Sequence, residues 1–248
     1  MPASDHVVLQ RSAVSEPRAV VLCEPDGFVT PWRRWQYIEL PSGESLRAEE
    51  TAAEQALVVL QGGVKIQQVG DLEVGDLVLC NEFSALNKKD EQADLLHVAV
   101  GTDTTTAPRT PTRETVDATK LSWRPALHGG VGRIATRHVW GPEDFSSTFT
   151  FLDHAILEAG GSVGYHFHEA LEESFFILKG RALMTIDDRT FEVAPDSATW
   201  QGIGQGHGIF NPYGDDLEFL RIAVAQAGEV VSTIDLHDNL AGRTAGSE

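Results

Sequence analysis

Four side chains in the second half of the chain have the types and spacing that suit a divalent transition metal. His166 and His168 stand two apart in Gly164-Tyr165-His166-Phe167-His168, and on a β-strand residues i and i+2 leave the same face. Glu173 opens the next β-prone run and can bring a carboxylate toward that face, with Glu172 beside it as the competing acid. His207 follows in Gly202-Ile203-Gly204-Gln205-Gly206-His207-Gly208, where glycines permit tight backbone turning beside a bulky ligated centre. Three neutral imidazoles and one carboxylate suit a borderline ion such as Fe(II), Mn(II), Ni(II) or Zn(II). On an octahedral ion such a set leaves two adjacent positions open, for a chelating small molecule or for substrate plus dioxygen, with the ion as Lewis acid or oxygen activator.

Those residues need strands to hold them, and strand signals dominate the chain. Residues 57–60, 76–80, 95–100, 174–178, 182–186 and 217–224 are short β-prone runs, most of them bounded by Gly, Pro or Asp. Helical periodicity is nearly absent; residues 48–56 have a helix-forming composition over too short a span. Many short strands with regular turn punctuation indicate a sandwich or barrel. The Thr- and Pro-rich stretch 102–112 has no periodic apolar face and is expected to be a linker or an extended crossover between two β units, and residues 241–248 a frayed tail.

The same patterning leaves two catalytic candidates with open roles. His154 lies in an alternating strand, 148–157, and either lines the pocket or packs outside it. Arg221 shares a strand face with Leu217 and Phe219, and either anchors a substrate carboxylate or sits at the rim with its head in water. Tyr165 and Phe167 leave the face opposite the two histidines and are expected in the core. His128, His138 and His237 show no ligand spacing and are given no role.

The metal-type stretches resemble the two motifs of the cupin superfamily. The first, Gly-x5-His-x-His-x(3 or 4)-Glu-x6-Gly, is met by Gly160, His166, His168, Glu173 and Gly180, and its spacing to Gly180 selects Glu173 over Glu172. The second, Gly-x5-Pro-x-Gly-x2-His-x3-Asn, is met by Gly204, His207 and Asn211, with Gly202 in place of the proline and the turn Ala194-Pro195-Asp196 one residue out of step. The N-terminal half resembles a worn copy. Gly43, Glu49, Thr51, Gln55 and Gly62 keep the first frame without its ligands, Val74-Gly75-Asp76 resembles the turn before the second motif, and Leu86 falls at the expected histidine.

The resemblance implies an all-β fold of two tandem cupin barrels (double-stranded β-helix, jelly-roll). Its expected parts are a degenerate N-terminal domain over 1–101, a linker over 102–124, a metal-binding domain over 125–240 and a tail over 241–248. It implies one divalent metal per chain, Fe(II) first, held by His166, His168, Glu173 and His207. The activity expected from it is that of a metal-dependent enzyme on a small oxygenated metabolite, foremost a mononuclear non-haem iron dioxygenase. A redox-neutral isomerase, cyclase or lyase is the alternative, and a non-catalytic small-ligand-binding cupin a third. One scaffold hosts all of these, so fold alone does not choose.

Composition narrows the partners. Nineteen basic and 37 acidic residues leave a formal charge of −18, a field that repels phosphate backbones and argues against nucleic acid. No apolar run approaches the ~20 residues that span a bilayer. Residues 1–14 lack the basic and apolar regions of a secretory signal, so the cytoplasm is the expected compartment and a monomer or homodimer the expected state. Cys23 and Cys80 have no zinc-type spacing and are expected to be buried thiols.

Overall fold

Period-2 patterning becomes strand in almost every regular element of the chain. The computed structural model describes residues 5–23, 27–48, 50, 52–102 and 109–246. Glu49, Thr51 and residues 103–108 of the Thr-rich stretch lie outside these. The chain divides into two compact units: Gln10–Asp117 with Asp144–Phe149, and Ala118–Glu143 with Thr150–Glu248 and the strand His6–Val8.

The first unit has two sheets. One runs Thr112–Thr115, Asp76–Cys80, Ala53–Gln61, Ala93–Gly101, Trp32–Leu40, Arg18–Val21, and the other Ser45–Arg47, Ser84–Leu86, Gly63–Ile66, Gly70–Glu73. Their inner faces share one core, including Ile38, Leu57, Val64, Leu72, Val78 and Leu95. The second unit repeats the plan. Its larger sheet runs His6–Val8, Ser197–Gln201, Leu171–Lys179, Leu217–Ala225, Phe149–Leu157, Arg133–Trp140, Ser122–Pro125. Its smaller sheet runs Arg189–Val193, Ala182–Ile186, His207–Phe210, Ser162–His168, Thr233–Asp235. Ile134, Leu157, Val163, Phe175, Ile177 and Ile209 lie in the core between them. Each unit is a two-sheet jelly-roll barrel, antiparallel throughout its recorded strand pairs, which satisfies backbone groups while burying one face of each strand.

Several local expectations change on folding. Residues 53–56, helical by composition, open the strand Ala53–Gln61, whose first seven residues are all buried; burial on both faces overrides propensity. The expected linker is shared, with Thr112–Thr115 paired to Asp76–Cys80 and Ser122–Pro125 paired to Arg133–Trp140. The expected frayed tail is tied down through residue 246: Leu240 is buried, Arg243 bonds Asp238 and the Asp187 carbonyl, and Gly246 N–H donates to Thr190 O. Cys23 and Cys80 are buried and form no disulfide.

The units correspond position by position. Gly43 N–H donates to Asn87 O as Gly160 N–H donates to Asn211 O, at 2.9 and 2.8 Å. Gly62 and Gly180 both take positive φ, and a Cβ on either would lie 2.5 and 2.4 Å from a backbone oxygen, of Gln92 and Asp216 respectively. Gly75 N–H bonds Val59 O as Asp196 N–H bonds Ile177 O, and Asp196 adopts the left-handed conformation that Gly75 adopts. Asn87 and Asn211 each donate to the carbonyl four residues on.

This correspondence corrects one sequence reading. Counting back from Asn87, the residue at the His207 position is Phe83, not Leu86. The stretch from turn to asparagine, Gly75 to Asn87 against Asp196 to Asn211, is three residues shorter in the first unit, so counting from the turn overshoots.

At the centre of the first barrel lies an uncharged polar network. His97 is buried; its Nδ1 meets Gln36 Nε2 at 2.9 Å and its Nε2 meets Gln55 Oε1 at 2.8 Å. An amide nitrogen only donates and an amide oxygen only accepts, so His97 is the neutral Nε2–H tautomer. Burial first, and the Arg34 charge second, lower its pKa to about 3. The unfolded chain therefore takes up a proton at His97 between about pH 6.5 and 3 that the native chain refuses, and stability present above pH 6.5 is lost as pH falls through that window. Urea midpoints are expected to fall more steeply on acidification for wild type than for His97→Gln. The difference is one proton, about 1.4 kcal/mol per pH unit; parallel slopes would show that His97 titrates normally.

Candidate metal centre

The strand Ser162–His168 puts both histidines on its inner face. His166 pairs in register with His207 on the adjoining strand, and Glu173 comes from Leu171–Lys179 in the facing sheet. All four residues are buried, and one ligand atom from each lies within 4.8 Å of the others. The structure thus brings together His166, His168, Glu173 and His207. Glu172 is buried too but is not part of the group; adjacent strand residues leave opposite faces.

The ring nitrogens are oriented for ligation. His166 Nδ1–H donates to Gly164 O at 2.8 Å and His207 Nδ1–H to Gln205 O at 3.0 Å, while His168 Nδ1 meets Thr233 Oγ1 at 3.0 Å. A carbonyl accepts only, so Nδ1 carries a hydrogen in both His166 and His207, and Nε2 is the atom each turns toward the cluster. His166 Nε2, His168 Nε2 and Glu173 Oε1 are buried without a hydrogen-bond partner. Unpaired buried polar atoms are costly, and His207 Nε2 lies 2.9 Å from Glu173 Oε2, so metal-type donor atoms converge on one buried space. On these grounds the donor set fits a divalent ion.

Charge around the cluster supports the fit. Arg221 is only 12% exposed at its side chain; its Nη2 donates to Asp153 Oδ2 at 2.7 Å and its Nε lies 3.3 Å from Glu173 Oε1. Burial alone would push the Glu173 pKa up, but the Arg221 guanidinium and the His168 and His207 imidazoles hold it well below the carboxylate range. Burial, with His207 next, lowers His166 to about 2. Asp153, Arg221 and Glu173 together carry one negative charge beside three imidazoles, which attracts a cation. Arg221 therefore lies against Asp153 and Glu173 beside the cluster, not at the rim with its head in water.

His154 is not brought into the cluster. It leaves the strand opposite Asp153, is fully buried, and pairs through Nε2 with Glu218 at 2.7 Å. Tyr165 is buried, donating to Asp187 O, whereas Phe167, expected in the core, is partly exposed.

Sequence reasoning missed three residues. Asp153 holds Arg221, and His138 binds the other oxygen of Asp153 through Nδ1, a bond that raises the His138 pKa. His128 stacks on His166 with ring centroids 3.8 Å apart and meets Asp235 through Nδ1 at 3.1 Å. Its loop approaches so closely that a Cβ on Gly164 would lie 1.8 Å from His128 O. The one sequence signal was His128-Gly129-Gly130, a histidine beside glycines that allow such an approach. Asp153 and His138 have no ligand spacing to betray them.

Which carboxylate binds is testable. Glu173→Gln keeps the volume and removes the charge, and is expected to weaken Mn(II) affinity about 10-fold or more, or about 1.4 kcal/mol. Glu172→Gln is expected to stay within about 2-fold of wild type, a difference of under about 0.5 kcal/mol. The reverse order in a Mn(II) titration would overturn the assignment.

Comparison with known proteins places these features. Residues 153–223 match the Cupin domain family. An oxalate-binding protein of Thermotoga maritima is 26% identical over 98 residues, covering 40% of this chain and 81% of that protein. Two solved structures resemble both barrels. A candidate glyoxylate-induced protein of Pseudomonas aeruginosa has a TM-score of 0.66 at 15% identity, covering 92% of this chain and 86% of that one. A mutant of Bacillus subtilis oxalate decarboxylase has a TM-score of 0.60 at 12% identity, covering 93% and 79%. No helix among the described residues is long and apolar enough to cross a membrane.

Proposed function

Because the chain belongs to the cupin superfamily and has its two-barrel fold, we propose that it is a divalent-metal-dependent enzyme acting on a small carboxylate metabolite by redox-neutral chemistry. The observation that carries this reading is the buried group of His166, His168, Glu173 and His207, with unpaired atoms turned inward. An ion bound there would supply Lewis-acid polarisation of a chelated substrate oxygen. The Nδ1 bonds of His166 and His207 fix ring orientation, and Thr233 does the same for His168. Arg221 keeps Glu173 ionised, and Phe175, edge-on to His207, helps exclude water from that side.

The substrate class is supported by the partial likeness to an oxalate-binding protein and by the donor set, which would hold a divalent ion able to polarise the oxygens of a small acid. Manganese or iron suits the donor set. The iron oxygenase expected from sequence is the competing reading, since iron held by the same donor set would supply oxygen chemistry.

Elemental analysis and oxygen measurement test this together. The purified protein is expected to hold about one transition-metal ion per chain, because Gln55 and Phe83 replace Glu173 and His207 in the first unit. Small hydroxy-, oxo- and dicarboxylic acids are the panel, and one of them is expected to be consumed anaerobically by metal-loaded but not chelator-treated protein. Two ions per chain would show that the first unit also binds metal. Turnover only with stoichiometric oxygen uptake would establish the oxygenase instead.

A further inference from the structure

The first unit contains a cavity of about 260 Å³ at the place that corresponds to the candidate metal centre. Phe83, at the His207 position, and His97, at the Arg221 position, form part of its wall. The second correspondence follows from the strands: Gly62 and Gly180 meet the residues just before Ala93–Gly101 and Leu217–Ala225, so His97 and Arg221 are each the fifth residue of their strand. Gln36 and Asp153 are likewise fifth in Trp32–Leu40 and Phe149–Leu157, and Gln55 and Glu173 both stand seven residues before their glycine. The alternating charges of Asp153, Arg221 and Glu173 are thus replaced by Gln36, His97 and Gln55, all uncharged and bonded to one another in the same order.

Among the described residues, the cavity keeps a polar floor but has uncharged groups in place of Asp153, Arg221 and Glu173. Guanidinium groups stand at its rim. Arg18, Arg34 and Arg47 line it. Arg18 is paired with buried Glu39, and Arg34 with Glu50 at 2.5 Å, whereas Arg47 makes no ion pair among the described residues. Among the described residues, Arg47 is thus a guanidinium at this rim that no carboxylate pairs, on a protein of formal charge −18. Leu46, Ile38 and Phe83 supply apolar wall.

We propose that this cavity is a metal-independent binding site for a small organic acid. The acid's carboxylate pairs with Arg47, and its short carbon body lies against Leu46 and Phe83. Guanidinium is suited to carboxylate through paired, in-plane N–H donors. The neutral His97, with both ring nitrogens already bonded, does not repel an anion. The size agrees, since the cavity falls below the range of about 300–1,000 Å³ typical of sites for drug-sized ligands.

The test uses the full chain treated with chelator, so that no metal in the second unit can hold the probe. Butyrate and succinate are titrated calorimetrically, with butyramide as the uncharged control. At least one acid is expected to bind with a millimolar or tighter Kd, and butyramide at least 10-fold more weakly. Arg47→Gln, on a short exposed strand and checked for folding by its melting curve, is expected to weaken the acid at least 5-fold. His207→Ala is expected to leave it unchanged. Absence of binding by both acids, equal binding of the amide, an unaffected Arg47→Gln, or loss of binding in His207→Ala would each overturn the proposal.

Discussion

Metal content of the His207→Ala protein is expected to fall below about a tenth of wild type, with activity lost and the circular dichroism of the barrel retained. Groups that only orient a ligand already change metal affinity about 10–100-fold when removed, so deleting a ligand should exceed that. The fold should survive because the core of the second unit rests on other side chains, among them Ile134, Leu157, Phe175, Ile177 and Ile209. His166→Ala should behave alike, since its Nε2 points into the same space with no other partner. Full metal occupancy in His207→Ala, measured by elemental analysis after dialysis, would remove this histidine from the site.

Arg221→Leu is expected to be the most destabilising single change in the second unit. It leaves Asp153 and Glu173, both almost completely buried, without their shared cation. Removing one partner of a buried ion pair costs about 3–5 kcal/mol. A bound divalent ion would compensate Glu173 in part, so metal should raise the melting temperature of Arg221→Leu more than that of wild type. Combining Arg221→Leu with Asp153→Asn should recover part of the loss, because the two positions share one interaction. Thermal and urea unfolding of wild type, the two single variants and the double variant, with and without Mn(II), measure all of this. Wild-type stability for Arg221→Leu would mean that the guanidinium is not what keeps Glu173 ionised.

The strands and the four clustered residues were legible because both signals are local. Residues 76–80 and 182–186 became strands with those bounds, since period-2 patterning and flanking turns need no distant partner to be read. The i, i+2 histidines work the same way. The contacts around them were not legible. Asp153 and Arg221 are far apart in sequence and meet only when Phe149–Leu157 and Leu217–Ala225 lie side by side in one sheet. Phe83 was passed over for Leu86 because a three-residue shortening leaves no mark in a single sequence; it shows only in the hydrogen bonds of Asn87.

The sequence by itself determined the β architecture and the donor types at His166, His168, Glu173 and His207. These follow from residue chemistry and from spacings shorter than one strand. Tertiary structure decided what surrounds them. It stacked His128 on His166 through the close approach at Gly164, paired His6–Val8 with Ser197–Gln201, and turned Arg221 onto Glu173. In the first unit it left a cavity where the ligands had been replaced. The reason is that strand order and side-chain packing are set by interactions between segments remote in sequence, and those interactions fix which charges share a buried space.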